Sequence, residues 1–236
     1  MDDRQISPAL EPQAASCFGA FEAQCYARGF KSVAGLDEVG RGPLAGPVVA
    51  AAVILPRGFV HAEIKDSKLL SAKQRDRLAP LIQQQAESWG LGVVEVGEID
   101  RINILQASLL AMVKALDALD ALKAPPDCLL IDGNQAIPAK LFQASRWSTM
   151  ALPHQQTIVK GDQLCLSIAA ASIVAKVARD EMMVGFDRQF PEYGFAGHKG
   201  YGSAAHLEAL RRHGPSPIHR MSYKPVRDLI ERAREV

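Results

Sequence analysis

The fold of this chain is decided by residues 33–55, VAGLDEVGRGPLAGPVVAAAVIL. Both ends of the stretch are apolar and partly β-branched, which predicts two buried strands, 33–39 and 48–55, joined by a glycine-rich turn. Two adjacent carboxylates, Asp37 and Glu38, lie near the end of the first strand. A buried carboxylate is costly unless a salt bridge or a hard cation compensates it, and neighbouring strand residues point to opposite faces. We therefore expect one of the two to face inward, toward a cation, and the other to reach around the sheet edge.

Outward from this stretch, the apolar spacing predicts strands that alternate with helices. The strands are predicted at 33–39, 48–55, 89–96, 128–131 and 157–159, and the helices at 21–30, 71–88, 102–122, 164–189, 203–213 and 225–234. Two hairpin-like strands followed by this alternation are typical of an α/β domain with a mixed sheet. Residues 1–20 are rich in Ala, Pro, Gln and Ser, which predicts a loose N-terminal extension.

The composition limits the class of protein. At 236 residues, of which 48% are hydrophobic, the chain can bury the core of one domain and carry an appendage. The four cysteines show no metal-binding spacing, which is typical of free thiols in a reducing cytosol. No apolar signal region follows the first residues, and the longest apolar stretches, 43–56 and 164–175, are too short to cross a bilayer. These features predict a soluble cytoplasmic protein.

The net charge of +1 hides an asymmetry along the chain. Residues 188–236 carry more Lys and Arg than Asp and Glu, so the rest of the chain is net acidic. Basic residues that hold phosphates, beside carboxylates that hold metal, suit a nuclease. Ordinary surface variation explains so small an excess equally well.

Acidic residues recur where the predicted strands end. Asp132 follows the apolar run 128–131, and Asp162 follows the strand 157–159 after a short turn. Side chains at the carboxyl ends of neighbouring strands converge on one crevice, so we expect both to join Asp37 and Glu38 there. Carboxylate oxygens favour Mg²⁺ or Mn²⁺ over zinc, and two such ions can promote hydrolysis of a phosphodiester.

Each of the two later acids also has an ordinary structural explanation. Asp132 could cap a turn with Gly133, and Asp162 could cap the N-terminus of the helix 164–189. The recurrence of all four acids at strand ends favours metal binding over these separate explanations.

The glycine turn over 40–47 has a competing interpretation as a dinucleotide-binding loop. Its spacing is G-x-G-x-x-x-G, it contains prolines, and an apolar strand follows it instead of a helix, all of which disfavour that interpretation. The glycines do permit a close approach of the backbone to a sugar or a phosphate.

A series of motifs extends the pattern over most of the chain. These are GLDEVGRGPLAG at 35–46, DSK at 66–68, LIDGN at 130–134, KGD at 160–162, IAAASIVAKVARD at 168–180, YGF at 193–195, HKGYG at 198–202, HGP at 213–215 and HR at 219–220. In their content and order, from about residue 33 to 227, they resemble ribonuclease HII, a type 2 ribonuclease H.

The resemblance implies a fold and an activity. The fold would be RNase H-like, a mixed five-stranded sheet flanked by helices, with an N-terminal extension at 1–30, a catalytic domain at 31–187 and a C-terminal helical substrate-binding part at 188–236. The activity would be cleavage of the RNA strand in RNA·DNA hybrids, and incision on the 5′ side of a single ribonucleotide embedded in duplex DNA, leaving a 3′-hydroxyl and a 5′-phosphate. Such an enzyme serves ribonucleotide and primer removal in DNA replication and repair, and we expect it to act as a monomer.

The resemblance also assigns roles to individual residues. The catalytic, metal-binding acids would be Asp37, Glu38, Asp132 and Asp162, with Mg²⁺ or Mn²⁺ as cofactor and two ions when substrate is bound. The run Gly40-Arg41-Gly42 would sense the 2′-hydroxyl at the RNA–DNA junction, Tyr201 would pack on the neighbouring sugar, and Lys68 would meet a phosphate.

Several alternatives stay open from the sequence. Asp180 is a rival acid, although its position within the 164–189 helix favours a structural role. Arg41 could serve as a salt-bridge partner of Glu38. The histidines could form a metal cluster or a general base, although their positions favour caps or phosphate contacts; they are His198, His206, His213 and His219. The functional alternatives are a hybrid-only nuclease like ribonuclease HIII, whose usual extra N-terminal domain has no room here, and a non-catalytic nucleic-acid binder.

Overall fold

The structure is a computed structural model that describes residues 18–123 and 125–234. The predicted loose extension falls mostly on residues 1–17, which lie outside this range, so that prediction is not tested. No helix among the described residues is long and apolar enough to span a membrane. The three described cysteines, Cys25, Cys128 and Cys165, are buried free thiols.

Five strands form one mixed sheet. They are β1 (Val33–Val39), β2 (Val48–Ile54), β3 (Ser88–Val94), β4 (Cys128–Asp132) and β5 (His154–Ile158), and their spatial order is β3-β2-β1-β4-β5. The β1–β2 and β2–β3 pairs are antiparallel, whereas β1–β4 and β4–β5 are parallel. The predicted mixed five-stranded sheet is therefore confirmed.

Eight α-helices surround the sheet in the described ranges. They are α1 (Ala20–Ala27), α2 (Ala72–Gln85), α3 (Val96–Ile102), α4 (Ile104–Asp117), α5 (Leu166–Gln189), α6 (Phe195–His198), α7 (Ala204–His213) and α8 (Lys224–Arg234). Short 3-10 helices lie at Ser67–Leu69, Ala139–Ala144, Arg146–Thr149, Gly161–Gln163 and Pro191–Tyr193. The predicted C-terminal helical part is thus present, and α5 runs across the predicted boundary at 187/188.

Small residues let two helices pack directly on the two faces of the sheet. A side chain at Gly92 of β3 would collide with the backbone of α4, and one at Gly35 of β1 would collide with the backbone of α5. Alternate residues of β1 and β2 therefore face different helices: Leu36 packs in the core that includes α4, and Ala51 packs in the core that includes α5. This alternation sends Asp37 and Glu38 to opposite sides of the sheet.

The predicted helix 102–122 is wrong in its extent. The structure has two helices there, α3 and α4, which are separated by Asn103 in the left-handed region, at φ 68°. The Asn103 side chain accepts hydrogen bonds from the N–H groups of Leu105 and Gln106, so it caps α4. The apolar period continues across the break, and periodicity alone therefore does not reveal it.

The predicted strand 157–159 is also displaced. The observed β5 covers His154–Ile158, and Val159 lies in the turn that follows. The sequence of β5 is mostly polar, because this strand lies at the edge of the sheet and is only partly buried. The prediction followed the apolar residues Ile158 and Val159 and left out the polar residues with which β5 begins.

Candidate active site

The first two acids lie where β1 ends. Asp37 is buried on the α5 face, and its Oδ1 accepts a hydrogen bond from the N–H of Glu38 at 2.7 Å. Glu38 projects from the other face, where its Oε1 lies 2.9 Å from Nη1 of Arg41. The pair therefore sits back to back at the end of the strand, as the alternation of strand side chains predicts.

The other two acids reach the same edge from neighbouring strands. In the parallel β1–β4 pair Leu36 faces Ile131, so Asp132 ends β4 directly beside Asp37. The Asp132 Oδ1 accepts a hydrogen bond from the N–H of Gly161 at 2.7 Å. Asp162, the next residue, lies buried in the 3-10 turn after β5. The structure thus brings the four predicted acids to one edge of the sheet, and we call them the carboxylate cluster.

Neither ordinary structural explanation accounts for the two later acids. Asp162 does not cap α5, because the N-cap residue is Cys165 and no side chain makes a capping hydrogen bond there. Asp132 accepts its hydrogen bond from Gly161, 29 residues away along the chain, and not from the adjacent Gly133. Each carboxylate instead accepts a hydrogen bond from another part of the fold, Asp132 from Gly161 and Asp162 from Lys68.

The carboxylate cluster is electrostatically unfavourable without a cation. The pKa of Asp37 is raised well above its ordinary value, first by burial and then by the negative charges of Glu38 and Asp132. Burial also raises the pKa of Glu38 and of Asp162, although Arg41 and Lys68 respectively act in the opposite direction. Raised pKa values in buried, adjacent carboxylates indicate a site that positive charge would stabilise.

The donor set fits a hard divalent cation. Only oxygen ligands are offered, which suits Mg²⁺ or Mn²⁺, and the buried negative charge exceeds what the neighbouring basic side chains neutralise. Within the described residues, no three His, Cys, Asp or Glu side chains converge closely enough to hold one ion as they stand. Glu38, Asp132 and Asp162 each accept a hydrogen bond from a nearby donor through one carboxylate oxygen.

Two buried arginines shape the glycine turn between β1 and β2. Arg179 of α5 donates to the carbonyl oxygens of Ala45, Pro47 and Lys199, and Arg220 donates to those of Gly40, Arg41 and Gly46. Both side chains are 0% exposed. Burial lowers the pKa of Arg179, to about 10, and that of Arg220. Arginine is so strongly basic that the guanidinium group is charged at neutral pH.

On the side of the turn that faces away from the two arginines, backbone N–H groups are free to donate hydrogen bonds. Because the guanidinium groups collect the carbonyl oxygens, the N–H groups of Arg41 and Gly42 are left without a hydrogen-bond acceptor among the described residues. Gly40 has a φ of 95° and lies against Arg179 and Pro47, where any side chain would collide. The turn is therefore a rigid loop that offers backbone donors beside Glu38.

The C-terminal part completes this loop. The N–H of Leu44 donates to the Gly200 carbonyl and that of Gly46 to the Ile218 carbonyl, each at 2.8 Å. Tyr201 is half exposed, and a Cβ on Gly42 would lie 3.6 Å from its ring. The structure therefore brings together the predicted junction-sensing residues, whereas Lys68 lies apart from them, next to Asp162.

Two histidines form a buried relay behind Tyr201. The Nε2 atoms of His206 and His219 are 3.0 Å apart, and His206 Nδ1 lies 2.9 Å from the Tyr201 carbonyl oxygen. The N–H of Ser216 donates to His219 Nδ1, so His219 donates from Nε2, and His206 donates from Nδ1 to Tyr201. One set of neutral tautomers satisfies all four ring nitrogens. The expectation of caps or phosphate contacts is wrong for this buried pair, which bonds within the protein.

The remaining candidates have local partners. Asp180 pairs with Lys176 one turn away on α5, at 2.7 Å. His198 donates from Nε2 to the Tyr193 carbonyl oxygen, at 2.8 Å, accepts at Nδ1 from the N–H of Gly200, and stacks its ring on His206. Neither of these residues joins the carboxylate cluster.

Sequence reasoning missed several residues that build the site. Arg179, Arg220, His206 and His219 form what we call the arginine–histidine network, and Ser172 lies beside Asp37, where its hydroxyl lowers the pKa of that carboxyl. The sequence signal for the two arginines is that each lies inside one of the motifs, 168–180 and 219–220. A buried arginine needs several hydrogen-bond acceptors, so such a position points to a structural role. On the α4 side, the hydroxyl of Ser108 is buried without a hydrogen-bond partner, and it lines a cavity of about 80 Å³ with Glu38 and Asp132.

Comparison with known proteins places this architecture in a family. The sequence matches the family model described as Ribonuclease HII over residues 34–226. It is 50% identical over 210 residues to the Ribonuclease HII of Syntrophotalea carbinolica, covering 89% of this chain and 93% of that one. It is 53% identical to the Ribonuclease HII of Geobacter metallireducens, covering 89% and 92% of the two chains.

Solved structures agree with the sequence relatives. The ribonuclease H2 of Pyrococcus horikoshii superposes with a TM-score of 0.69 at 26% identity, covering 87% of this chain and 100% of that one. Bst-RNase HIII, solved in complex with Mn²⁺, superposes with a TM-score of 0.66 at 22% identity over 96% of this chain and 75% of that one, which shows the shared fold. The predicted RNase H-like fold is confirmed. The chain therefore belongs to the ribonuclease HII family, and its activity is that of a metal-dependent type 2 ribonuclease H.

Proposed function

We propose that this protein cleaves the RNA strand of RNA·DNA hybrids and also incises duplex DNA on the 5′ side of a single embedded ribonucleotide, leaving a 3′-hydroxyl and a 5′-phosphate. The observation that carries the second activity is the contact between Gly42 and Tyr201 beside the carboxylate cluster. Free backbone donors, an exposed aromatic ring and the acids then meet at one place. A nuclease that reads one ribose needs these three features together.

The acids are proposed to supply the chemistry. Asp37, Glu38, Asp132 and Asp162 would hold Mg²⁺ or Mn²⁺, two ions when substrate is bound. This is supported by their shared edge and by the raised pKa values of Asp37, Glu38 and Asp162. Such a cation neutralises charge that develops on the phosphate oxygens and favours attack by water. The protein's own part is to hold the acids at one edge of the sheet, partly shielded from solvent.

The glycine loop and Tyr201 are proposed to read the ribose. The N–H groups of Arg41 and Gly42 are free to donate to the 2′-oxygen, which is the one group that distinguishes a ribose from its deoxy neighbours. Gly40 takes the positive φ that the loop needs, Gly42 leaves space for the sugar to approach the backbone, and Tyr201 would pack on the next sugar. Lys68 would meet a phosphate as a point charge.

The organisation proposed from the sequence is consistent with these contacts. We assign 31–187 as the catalytic domain and 188–236 as the substrate-binding part packed on it, supported by the main-chain pairing of the glycine loop with Gly200 and Ile218. A monomeric enzyme that works in the cytoplasm, in ribonucleotide removal and primer removal during DNA repair and replication, follows from the same proposal.

A duplex with one internal ribonucleotide tests the proposal. The purified protein, with Mg²⁺ or Mn²⁺, should make a single cut 5′ to that ribose, and should leave an all-DNA duplex and a chelator-treated sample intact. Cleavage of a longer hybrid without the single-ribonucleotide cut would keep the nuclease and overturn the junction-reading role of Gly40-Arg41-Gly42 and Tyr201. Inactivity on both substrates would favour a nucleic-acid binder.

A further inference from the structure

Two ion pairs connect residues that have separate roles in the proposed function. Lys68 Nζ lies 3.1 Å from Asp162 Oδ2, and Arg41 Nη1 lies 2.9 Å from Glu38 Oε1. In each pair a residue assigned to the nucleic acid is bound to an acid assigned to the metal. In the proposed function these groups have other partners: the nucleic acid for Lys68 and Arg41, and the cation for Asp162 and Glu38.

The two halves of each pair differ in their freedom to move. The side chains of Asp162 and Glu38 are 4% and 10% exposed, whereas those of Lys68 and Arg41 are 79% and 48% exposed. The carboxylates are therefore held by the protein, and the basic side chains are the parts that can leave. Ion pairs with one exposed member are weak, so a stronger partner for either group can displace them.

The other two acids have no basic partner of this kind. Within the described residues, neither Asp37 nor Asp132 forms a salt bridge, and the pKa of Asp37 is raised by burial and by its acidic neighbours. Asp37 and Asp132 are thus available to bind a first cation, whereas Glu38 and Asp162 are each paired with a basic residue.

We propose that Arg41 and Lys68 are exchangeable counterions, which occupy Glu38 and Asp162 in the free protein and pass to substrate phosphates when divalent cations take those carboxylates. This inference rests on the proposed roles of the four acids. It couples the two binding events: cation binding releases Arg41 and Lys68 for the nucleic acid, and the nucleic acid removes their competition with the cation. Because such coupling is reciprocal, each ligand must tighten the other by the same factor.

The coupling predicts a result that a simple substrate-binding role does not. Removal of Lys68 should weaken binding of nucleic acid but tighten binding of the cation in the absence of nucleic acid. An ion pair of this exposure is worth enough to change Mn²⁺ affinity by about twofold to fivefold. The same direction is expected for Arg41→Ala, through Glu38.

The test is a titration of the metal-free full-length protein with Mn²⁺ alone, followed by electron paramagnetic resonance of the free ion, with no nucleic acid present. The variants are Lys68→Ala, Lys68→Arg and Arg41→Ala. Lys65→Ala is the matched control, because it removes an exposed lysine charge three residues away that makes no ion pair with the carboxylate cluster. A second titration adds an all-DNA duplex, which the proposed enzyme does not cut.

The expected result is tighter Mn²⁺ binding by Lys68→Ala and Arg41→Ala, with wild-type affinity in Lys68→Arg and Lys65→Ala. The duplex should tighten Mn²⁺ binding by the wild type and do so less in the two tighter variants. Unchanged or weaker Mn²⁺ binding by Lys68→Ala and Arg41→Ala overturns the exchange while leaving the proposed function intact. Equal tightening by Lys65→Ala overturns it as well, since general charge would then explain the effect. A wild type that binds no Mn²⁺ overturns both this inference and the proposed metal site.

Discussion

The carboxylate cluster and the arginine–histidine network are both buried and polar, but they are satisfied to very different degrees. In the network, Arg179 and Arg220 each donate to several carbonyl oxygens, and the ring nitrogens of His206 and His219 all have partners. In the cluster, four acids share one edge of the sheet, and in the described part of the chain their basic partners are Arg41 and Lys68 alone. We infer from this difference that the network positions the chain, whereas the carboxylate cluster is the part that binds the cation.

The two regions should respond to pH in opposite directions. The raised pKa of Asp37 means that, above the ordinary carboxyl range, the folded metal-free protein holds more protons than the unfolded chain, so this contribution to stability falls as pH rises. Burial lowers the pKa of His206 and of His219, the latter to about 4. Their contribution to stability is therefore complete above about pH 6.5 and is lost as pH falls, for His219 toward about 4.

The largest expected effect is the loss of chemistry when the cluster loses one acid. Asp132→Asn should reduce cleavage by about a thousandfold or more, because the cation contributes several kcal/mol to transition-state stabilisation. The fold and the affinity for duplex should remain, since the amide keeps the shape of the carboxyl group. Single-turnover cleavage and duplex binding measure the two effects, and Asp180→Asn on α5 is the matched control with near wild-type cleavage. Wild-type rates in Asp132→Asn would remove this acid from the metal site.

A large loss of stability is expected when the network loses one arginine. Arg220→Lys should destabilise the fold by about 2–5 kcal/mol, because lysine cannot replace the forked donors and leaves buried carbonyl oxygens unpaired. Denaturant unfolding measures the change. Arg211→Ala, which removes an exposed ion pair with Glu208, should change stability by less than about 0.5 kcal/mol. Equal stability of Arg220→Lys and the wild type would show that the loop does not depend on these hydrogen bonds.

The histidine relay should account for part of the acid sensitivity. His219→Asn should reduce the loss of stability between pH 6.5 and about pH 4 by about 1–3 kcal/mol relative to the wild type, because the unfolded chain no longer gains a proton at this residue. Unfolding free energies of both proteins across this pH interval provide the measurement, and His61→Asn, in the loop after β2, is the control. An unchanged pH slope in His219→Asn would contradict a neutral, buried His219.

A smaller effect is expected from the residue that joins the two regions. Tyr201→Ala should weaken single-ribonucleotide incision by about tenfold and duplex binding by less, because the ring is proposed to pack on one sugar and orient it. Paired measurements of binding and of single-turnover incision separate the two. Equal losses in both would reduce Tyr201 to a contact that supplies affinity only.

The sequence predicted more of the cluster than of the network, for a physical reason. Carboxylates at the ends of apolar runs are conspicuous, since burial of Asp37, Asp132 and Asp162 demands compensation, and parallel strands bring their carboxyl ends to one edge. The partners of Arg179, Arg220 and His206 are backbone carbonyl oxygens and another histidine, which leave no pattern in the sequence. Their roles emerge only when the segment around Tyr201 folds back on the glycine loop.

The sequence likewise predicted some elements of the fold well and others poorly. The sheet and α5 follow from apolar runs, whereas the break at Asn103 depends on one residue with a positive φ, and β5 is a half-exposed edge strand. Apolar periodicity reports burial, and it is least informative where a helix continues its apolar face past a break or where a strand is exposed on one side.

The thermal stability of Asp37→Asn with and without Mn²⁺ tests the central claim most directly. If the buried carboxylates of the cluster repel one another until a cation binds, metal-free Asp37→Asn should be more stable than the metal-free wild type. The expected difference is about 1 kcal/mol, or roughly 2–4 °C in Tm. Mn²⁺ should then stabilise the wild type and have little effect on the variant. A metal-free Asp37→Asn that is less stable than the wild type, or that gains as much from Mn²⁺, would contradict the account.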